Sequence, residues 1–357
     1  MAAIFMGATK DVYLVIGGSG FLGRHIVQCL LDRGDTVSAF DVVQRYHDVP
    51  FYDGDLTQYD SLLTALKKSG ATCIIHTASP HARGASTGLF WKVNVKGTNT
   101  IIQAAIDAGV RKLVYTSSSG VVFNGSPVNG INETYPICDK HMDVYMETKA
   151  KAEEAVLKAN GKRGLLTVAL RPSGIFGPGD RQVMVGMFRL YEGNRTHVQI
   201  GDNSNRCDWT YVTNVAHAHV LAADKLGSEP SLPVAGEVFF ITNDDPWFFW
   251  DFANAIWDRL DGLYPGKRQK RKPTVIPRQV GFMLAWFAEW FSWITGRPPT
   301  FTRFNMTFSC TPRWHSIEKA KKNLGYRPQV SMDEGLELLL DWWKKEHVEA
   351  PQTQTST

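Results

Sequence analysis

Paired cysteines and metal-ligand spacings are missing from this chain. Its five cysteines, Cys29, Cys73, Cys138, Cys207 and Cys310, stand far apart with no CxxC pair. Their odd number and wide spacing argue against a disulfide framework or a bound metal, and fit reduced thiols facing the cytosol. Charge of one sign is also scarce. Thirty-nine basic residues against 35 acidic ones leave a net charge of only +4. That is too mild for a nucleic-acid surface, so no nucleic-acid partner is expected. No apolar run reaches the roughly 20 residues that a membrane-spanning helix needs. The stretch Met1 to Asp11 is too short and too weakly apolar for a secretory signal, and none is expected. With 357 residues, 43% of them hydrophobic, the chain can bury one large α/β core and a smaller lobe.

What is present is a strand, a tight turn and a helix near the start. Val12-Tyr13-Leu14-Val15-Ile16 is an apolar run of β-formers. It enters Gly17-Gly18-Ser19-Gly20-Phe21-Leu22-Gly23, and the amphipathic segment Arg24 to Leu31 leaves it. Glycines at 17, 20 and 23 permit the turn, let backbone N–H groups approach a pyrophosphate and let the helix pack closely on the strand. The helix N-terminus then faces the negative charge. A second strand, Thr36 to Phe40, ends at Asp41, about twenty residues on, where an acid suits the ribose hydroxyls of a dinucleotide. A carboxylate there repels a 2′-phosphate, so NAD is expected over NADP. Arg24 and Arg45 are near enough in sequence to leave NADP open.

The alternation continues. Phe51 to Leu56 reads as a short strand, Ser61 to Ser69 as a helix and Cys73-Ile74-Ile75-His76 as a strand. Trp91 to Ala108 reads as a helix closed by Gly109, and Lys112 to Tyr115 as a strand ending in Thr116-Ser117-Ser118-Ser119. Leu166 to Arg171 is a further strand. Strand and helix in turn predict an α/β fold, a doubly wound parallel sheet of Rossmann type with a smaller C-terminal substrate lobe. The expected division is a dinucleotide-binding and catalytic core over 1–180, a substrate lobe with returning core elements over 181–350, and a disordered tail over 351–357. Arg206 to Val212 and the helix Val215 to Ala223 are expected to return to the sheet.

Tyr145 and Lys149 lie four apart on a helix that opens at Val144, so they share one face. A free tyrosine, with a pKa of about 10, is a poor base at neutral pH. A lysine ammonium one turn away, with the positive nicotinamide of an oxidised cofactor, is expected to lower that value. The phenolate then takes the proton of a substrate alcohol while hydride leaves its carbon. Ser118, at the end of the preceding strand, is the first choice to hydrogen-bond the same oxygen, with Ser117 and Ser119 as alternatives. His76 reads as a strand-end packing residue, and neither it nor His81 is assigned a role.

Together, Gly17-x-x-Gly20-x-x-Gly23, Asp41, Asp55-Leu56, Thr116-Ser117-Ser118, Tyr145-x-x-x-Lys149 and Arg171-Pro172-x-x-Ile175-Phe176-Gly177-Pro178-Gly179-Asp180 resemble the extended short-chain dehydrogenases, in their 3β-hydroxysteroid dehydrogenase branch. The segments Val15 to Gly23, His76 to Pro80 and Asp143 to Lys149 look closest to the decarboxylating sterol-4α-carboxylate 3-dehydrogenases. The resemblance implies that Gly17, Gly20, Gly23, Asp41, Asp55 and Leu56 meet the cofactor. It implies that Lys149 holds the nicotinamide ribose and that Pro172 and Ile175 line the nicotinamide side. It implies NAD(P)-dependent oxidation of the 3β-hydroxyl of a 4α-carboxysterol with loss of CO2, in sterol biosynthesis. The competing readings are another 3β-hydroxysteroid dehydrogenase, a nucleotide-sugar epimerase or dehydratase of the same fold, and a non-catalytic dinucleotide sensor. The group that grips the 4-carboxylate is left among Arg181, Arg206 and Arg303.

Gly281 to Thr295 is dense in Trp and Phe, carries the single charge Glu289, and follows the basic run Lys267-Arg268-Gln269-Lys270-Arg271-Lys272. It falls short of a spanning helix, and its aromatics suit a membrane interface. The expectation is a monotopic or peripheral contact on the cytosolic face of the endoplasmic reticulum, helped by the basic run. Expected partners are therefore a sterol substrate and a membrane surface. Other enzymes of sterol C-4 demethylation follow from the resemblance alone, and a homodimer is left open.

Overall fold

Runs of Val, Ile, Leu and Tyr between glycine turns make strands that are buried on both faces. Parallel strands need that double cover, because their crossover helices lie on both sides. The computed structural model describes residues 10–81, 85–181, 183–228, 234–297, 299 and 301–349. Seven parallel strands form the main sheet. From edge to edge they are Val238–Ile241, Leu166–Pro172, Lys112–Thr116, Cys73–His76, Val12–Ile16, Thr36–Asp41 and Phe51–Asp53. The strand Val12–Ile16 is flanked by Thr36–Asp41 on one side and Cys73–His76 on the other. The winding reverses there, which opens a crevice at the carboxyl ends of the strands.

Each face has its own core. On one, Ile26, Val27 and Leu30 of the helix Phe21–Arg33 pack with Val215, Ala218 and Ala222 of the helix Val212–Lys225. On the other, Leu62, Leu66, Ile101 and Ala105 pack with Ala152 and Val156 of the helix Val144–Lys158.

Beyond residue 180 the chain serves two places. Val212–Lys225 and Val238–Ile241 cover and extend the main sheet. Tyr191, Trp209, Phe252, Trp257, Leu336 and Trp343 build a separate aromatic core, with Trp209 stacked 4.0 Å from Phe252. The segment Arg206 to Val212 differs from expectation, since it does not join the main sheet. Arg206–Cys207 pairs with Trp247–Phe248 and Arg313–His315, and Thr210–Tyr211 pairs with Ile175–Phe176. The break falls at Asp208, whose carboxylate accepts hydrogen bonds from His315. The expected tail 351–357 lies outside the described residues.

The aromatic stretch is a helix, Arg278–Thr295, that starts after Pro277 and stops at left-handed Gly296. Only Gly281 and Ala285 are buried. A Cβ on Gly281 would meet the methyl end of Met306 of the neighbouring helix Arg303–Cys310, so the two helices approach closely there. Met283, Trp286, Phe287, Trp290 and Phe291 are at least half exposed, and Trp293 is 83% exposed. The stretch is therefore not a core helix. Among the described residues no helix is long and apolar enough to cross a membrane. The preceding basic run is largely neutralised within the chain. Lys267 pairs with Glu192, Arg268 with Asp258 and Asp261, and Lys270 with Asp261.

Candidate active site

The glycine turn has the shape a pyrophosphate cradle requires. Gly17 sits at φ 87°, where a side chain would be strained and would press on Ala78. A Cβ on Gly23 would collide with the Gly17 carbonyl, so the helix meets the turn only through glycine. Gly20 is the helix N-cap and offers no side-chain cap, which leaves the first-turn amides facing outward. Asp41 closes the turn, accepting from Ser19 N at 3.0 Å and from Val42 N at 2.8 Å. Arg45 donates to Ser19 O at 3.0 Å, while Arg24 is paired with Asp48 at 2.7 Å. Gly17, Gly20, Gly23 and Asp41 thus lie together and fit a dinucleotide.

The remaining cofactor candidates are placed less uniformly. Asp55 caps its own turn through Thr57 and pairs with Lys92 at 2.9 Å, and these partners hold its carboxyl below the usual range against the effect of burial. Leu56 is buried against Gly97, where a Cβ would overlap its side chain. Pro172 ends its strand opposite Ile241, and Ile175 follows in a two-residue strand.

Tyr145, Lys149 and Ser118 converge at the end of the strand Lys112–Thr116. Asp143 caps their helix by accepting from Met146 N at 2.8 Å, which fixes Tyr145 in the first turn. Ser118 stands close enough to the Tyr145 phenol to lower its pKa, against the effect of burial. Its Oγ also accepts from Gly120 N at 3.1 Å. Ser117 Oγ is buried without a partner, and Ser119 opens a short 3-10 turn. Lys149 Nζ donates to the Thr116 carbonyl at 2.5 Å and lies 4.7 Å over the Tyr115 ring.

Among the protein's own groups the tyrosine is not activated as expected. Burial pushes the Tyr145 phenol up to about 12, with Asp143 adding to the rise and Ser118 opposing it. Burial also pushes the Lys149 ammonium down to about 7, against the pull of Glu153. Desolvation dominates both shifts, and the ammonium points at the Thr116 carbonyl. His76 is buried, contacts Thr98 Oγ1 at 3.0 Å and is pushed down to about 3 by burial.

Three features have no local signal in the sequence. Trp91–Gly97 is a π-helical turn inside what reads as one helix. It carries Asn94, whose Nδ2 donates to Thr148 Oγ1 at 3.0 Å and whose Oδ1 is buried without a partner. Such turns recur at functional sites. Arg171 donates to Glu153 at 2.9 Å and 2.5 Å, one turn beyond Lys149 on the same helix. Phe123, Val128, Met142, Met146, Phe304 and Phe308 form an apolar cluster that includes Tyr145. A pattern that pairs position 145 with 304 and 308 is invisible in a linear reading.

The model of the 3-beta hydroxysteroid dehydrogenase/isomerase family matches residues 14–270. The chain is 43% identical over 347 residues to the decarboxylating sterol-4-alpha-carboxylate 3-dehydrogenase of Saccharomyces cerevisiae, covering 93% of this chain and 97% of that protein. It is 41% identical to the protein of the same description from Mus musculus, covering 90% of this chain and 88% of that one. Among solved structures, the UDP-glucose 4-epimerase of Thermus thermophilus in complex with NAD superposes with a TM-score of 0.68 at 22% identity, over 93% of this chain and 98% of that one. That likeness establishes the doubly wound fold alone.

Proposed function

We propose that this chain, which belongs to the 3-beta hydroxysteroid dehydrogenase/isomerase family, is an NAD-dependent enzyme that oxidises the 3β-hydroxyl of a 4α-carboxysterol and releases the 4-carboxyl as CO2. The observation that carries the reading is the convergence of Tyr145, Ser118 and Lys149 at one strand end, across the crevice from the glycine turn. The names of its relatives support the sterol acid. So does the apolar cluster around Tyr145, which suits a sterol better than a nucleotide sugar. Asp41 in the turn supports NAD over NADP, because its carboxylate repels a 2′-phosphate.

NAD, when bound, supplies the hydride acceptor and a positive ring charge. Ser118 and Tyr145 hold the substrate hydroxyl, and Tyr145 takes its proton as the carbon–hydrogen bond breaks. With the nicotinamide charge present, a protonated Lys149 on the same helix face offsets part of the burial that holds the phenol up. Oxidation turns a β-hydroxy acid into a β-keto acid. The bond to the carboxyl then breaks, CO2 leaves, and its electron pair moves to the new carbonyl as an enolate. The protonated Tyr145 and Ser118 donate to that oxygen and stabilise it. The 4-carbon is finally protonated.

In the same reading the protein attaches to the cytosolic face of the endoplasmic reticulum through the exposed aromatic face of Arg278–Thr295.

The test follows NADH and CO2 from a carboxyl-labelled substrate. Wild type should form both in equal amounts from the sterol acid and neither from UDP-glucose. Tyr145→Phe should lose both together, by about 100-fold or more, as expected for a proton-transfer group. Labelled CO2 released by Tyr145→Phe without matching NADH would sink the oxidation-first scheme.

A further inference from the structure

A carboxylate on the carbon next to the reacting one must sit beside the same apolar cluster as the hydroxyl. Buried without a cation it would cost several kcal/mol, of the order that drives such groups to neutralise. The three arginines favoured by sequence position do not meet that need. Arg181 and Arg206 are exposed. Arg303 is exposed and paired with Glu289 at 2.6 Å.

Arg313 is different. It lies in the strand Arg313–His315, between Arg206–Cys207 and Val128–Ile131. Its guanidinium carbon stands 3.3 Å from the Phe308 ring centre and 5.4 Å from that of Phe123. Both rings belong to the cluster that contains Tyr145. One terminal nitrogen donates to the Phe308 carbonyl at 2.8 Å and contacts Cys207 Sγ at 3.6 Å. Nε is buried with no hydrogen-bond partner. Its neighbouring acid, Asp208, is already engaged by the backbone and ring nitrogens of His315 at 2.8 Å and 2.9 Å. Burial lowers the Arg313 pKa and raises that of Asp208, against their mutual attraction. A guanidinium nonetheless stays charged in a protein. Stacking on Phe308 fixes its plane, and a planar fork matches a carboxylate.

We propose that Arg313 binds the 4α-carboxylate of the sterol acid and thereby selects acids over sterols that are uncharged at carbon 4. The proposal rests on the sterol-acid reading above. Arg313 holds the acid group equally before and at the oxidation step, so its loss should raise KM more than it lowers kcat.

Two dead-end ligands test this. One is a 4α-carboxysterol lacking the 3-hydroxyl, the other its 4α-carboxamide. Their affinities are measured by tryptophan quenching in wild type, Arg313→Gln and Arg313→Lys. Arg313→Gln should weaken the acid by about 100-fold, the loss expected for a charge-assisted hydrogen bond, and the amide by less than about threefold. Arg313→Lys, which keeps the charge but not the fork, should fall between. If Arg313→Gln does not fold, Arg313→Lys carries the test, with a loss of about tenfold for the acid alone. Equal losses for both ligands, or no loss for the acid, would overturn the assignment. A wild type that binds neither ligand and does not oxidise the sterol acid would instead refute the substrate reading.

Discussion

Tyr145 and Lys149 share one helix, as their spacing predicts, yet burial raises the phenol that the lysine is expected to lower. Burial penalises charge on both, and only the lysine shift has a direct consequence for stability near neutral pH. The folded ammonium titrates near 7, while in the unfolded chain it keeps an ordinary value of 10.5. Between those values the unfolded state binds more protons, so this group makes stability rise with pH across that window. Its penalty is fully present below about 7 and gone above about 10.5. Lys149→Met should therefore abolish oxidation while its melting temperature, relative to wild type, is highest at pH 6 and falls steadily towards pH 9. The lost bond to the Thr116 carbonyl shifts that whole curve without changing its slope. A flat or rising difference would show that the ammonium is not desolvated. Gly17, Asp41, Tyr145 and Lys149 are legible in the sequence because each is defined by neighbours within a turn or a strand. Arg313 and Asn94 are not. One is positioned by Phe123 and Phe308 and the other by Thr148, across sequence distances that carry no periodic signal.

The helix Arg278–Thr295 is legible as an aromatic, weakly charged segment, and the structure adds which of its faces is free. Gly281 and Ala285 hold it against Arg303–Cys310, and Glu289 is tied to Arg303 at 2.6 Å. The aromatic side chains point away from those contacts. Deleting Gly281 to Thr295 would therefore confound membrane release with a damaged lobe. Charges on exposed positions keep the packing. Leu284→Lys with Phe287→Glu should move the protein from the membrane pellet to the soluble fraction with its melting temperature within about 2 °C of wild type, since exposed substitutions rarely cost much. Moderate salt should release wild type poorly. Most of the neighbouring basic side chains are already paired, so little screened attraction exists to lose. Full release by salt, or retention of the doubly charged variant, would show that this face does not hold the membrane.

The core of the main sheet runs across residue 180. The core on the Phe21–Arg33 side of the sheet includes Val215, Ala222, Phe239, Ile241, Ile317, Leu324 and Tyr326, all from beyond that point. Arg33 reaches Asp224 at 2.5 Å, Lys112 reaches the Ala223 carbonyl at 3.0 Å, and the edge strand Val238–Ile241 pairs along Leu166–Pro172. A fragment ending at 180 would expose one face of its own sheet, so it should not fold. The alternation of strands and helices makes the sheet legible, but not that its last strand, Val238–Ile241, arrives only after a long interval past Pro172 in which other elements form. Tryptophan gives a clean probe of this coupling. Of 11 tryptophans only Trp91 precedes residue 180, so fluorescence reports almost entirely on the later part of the chain. The nucleotide cradle lies in the earlier part. A ligand that binds only the folded state raises stability by about 2.7 kcal/mol at 100 times its dissociation constant. NAD at that excess should therefore shift the urea midpoint seen by fluorescence as far as the midpoint seen by far-ultraviolet dichroism, with the two curves superimposed. A fluorescence transition that NAD leaves in place while the dichroism moves would mean two independent folding units, and the shared core would then not couple them.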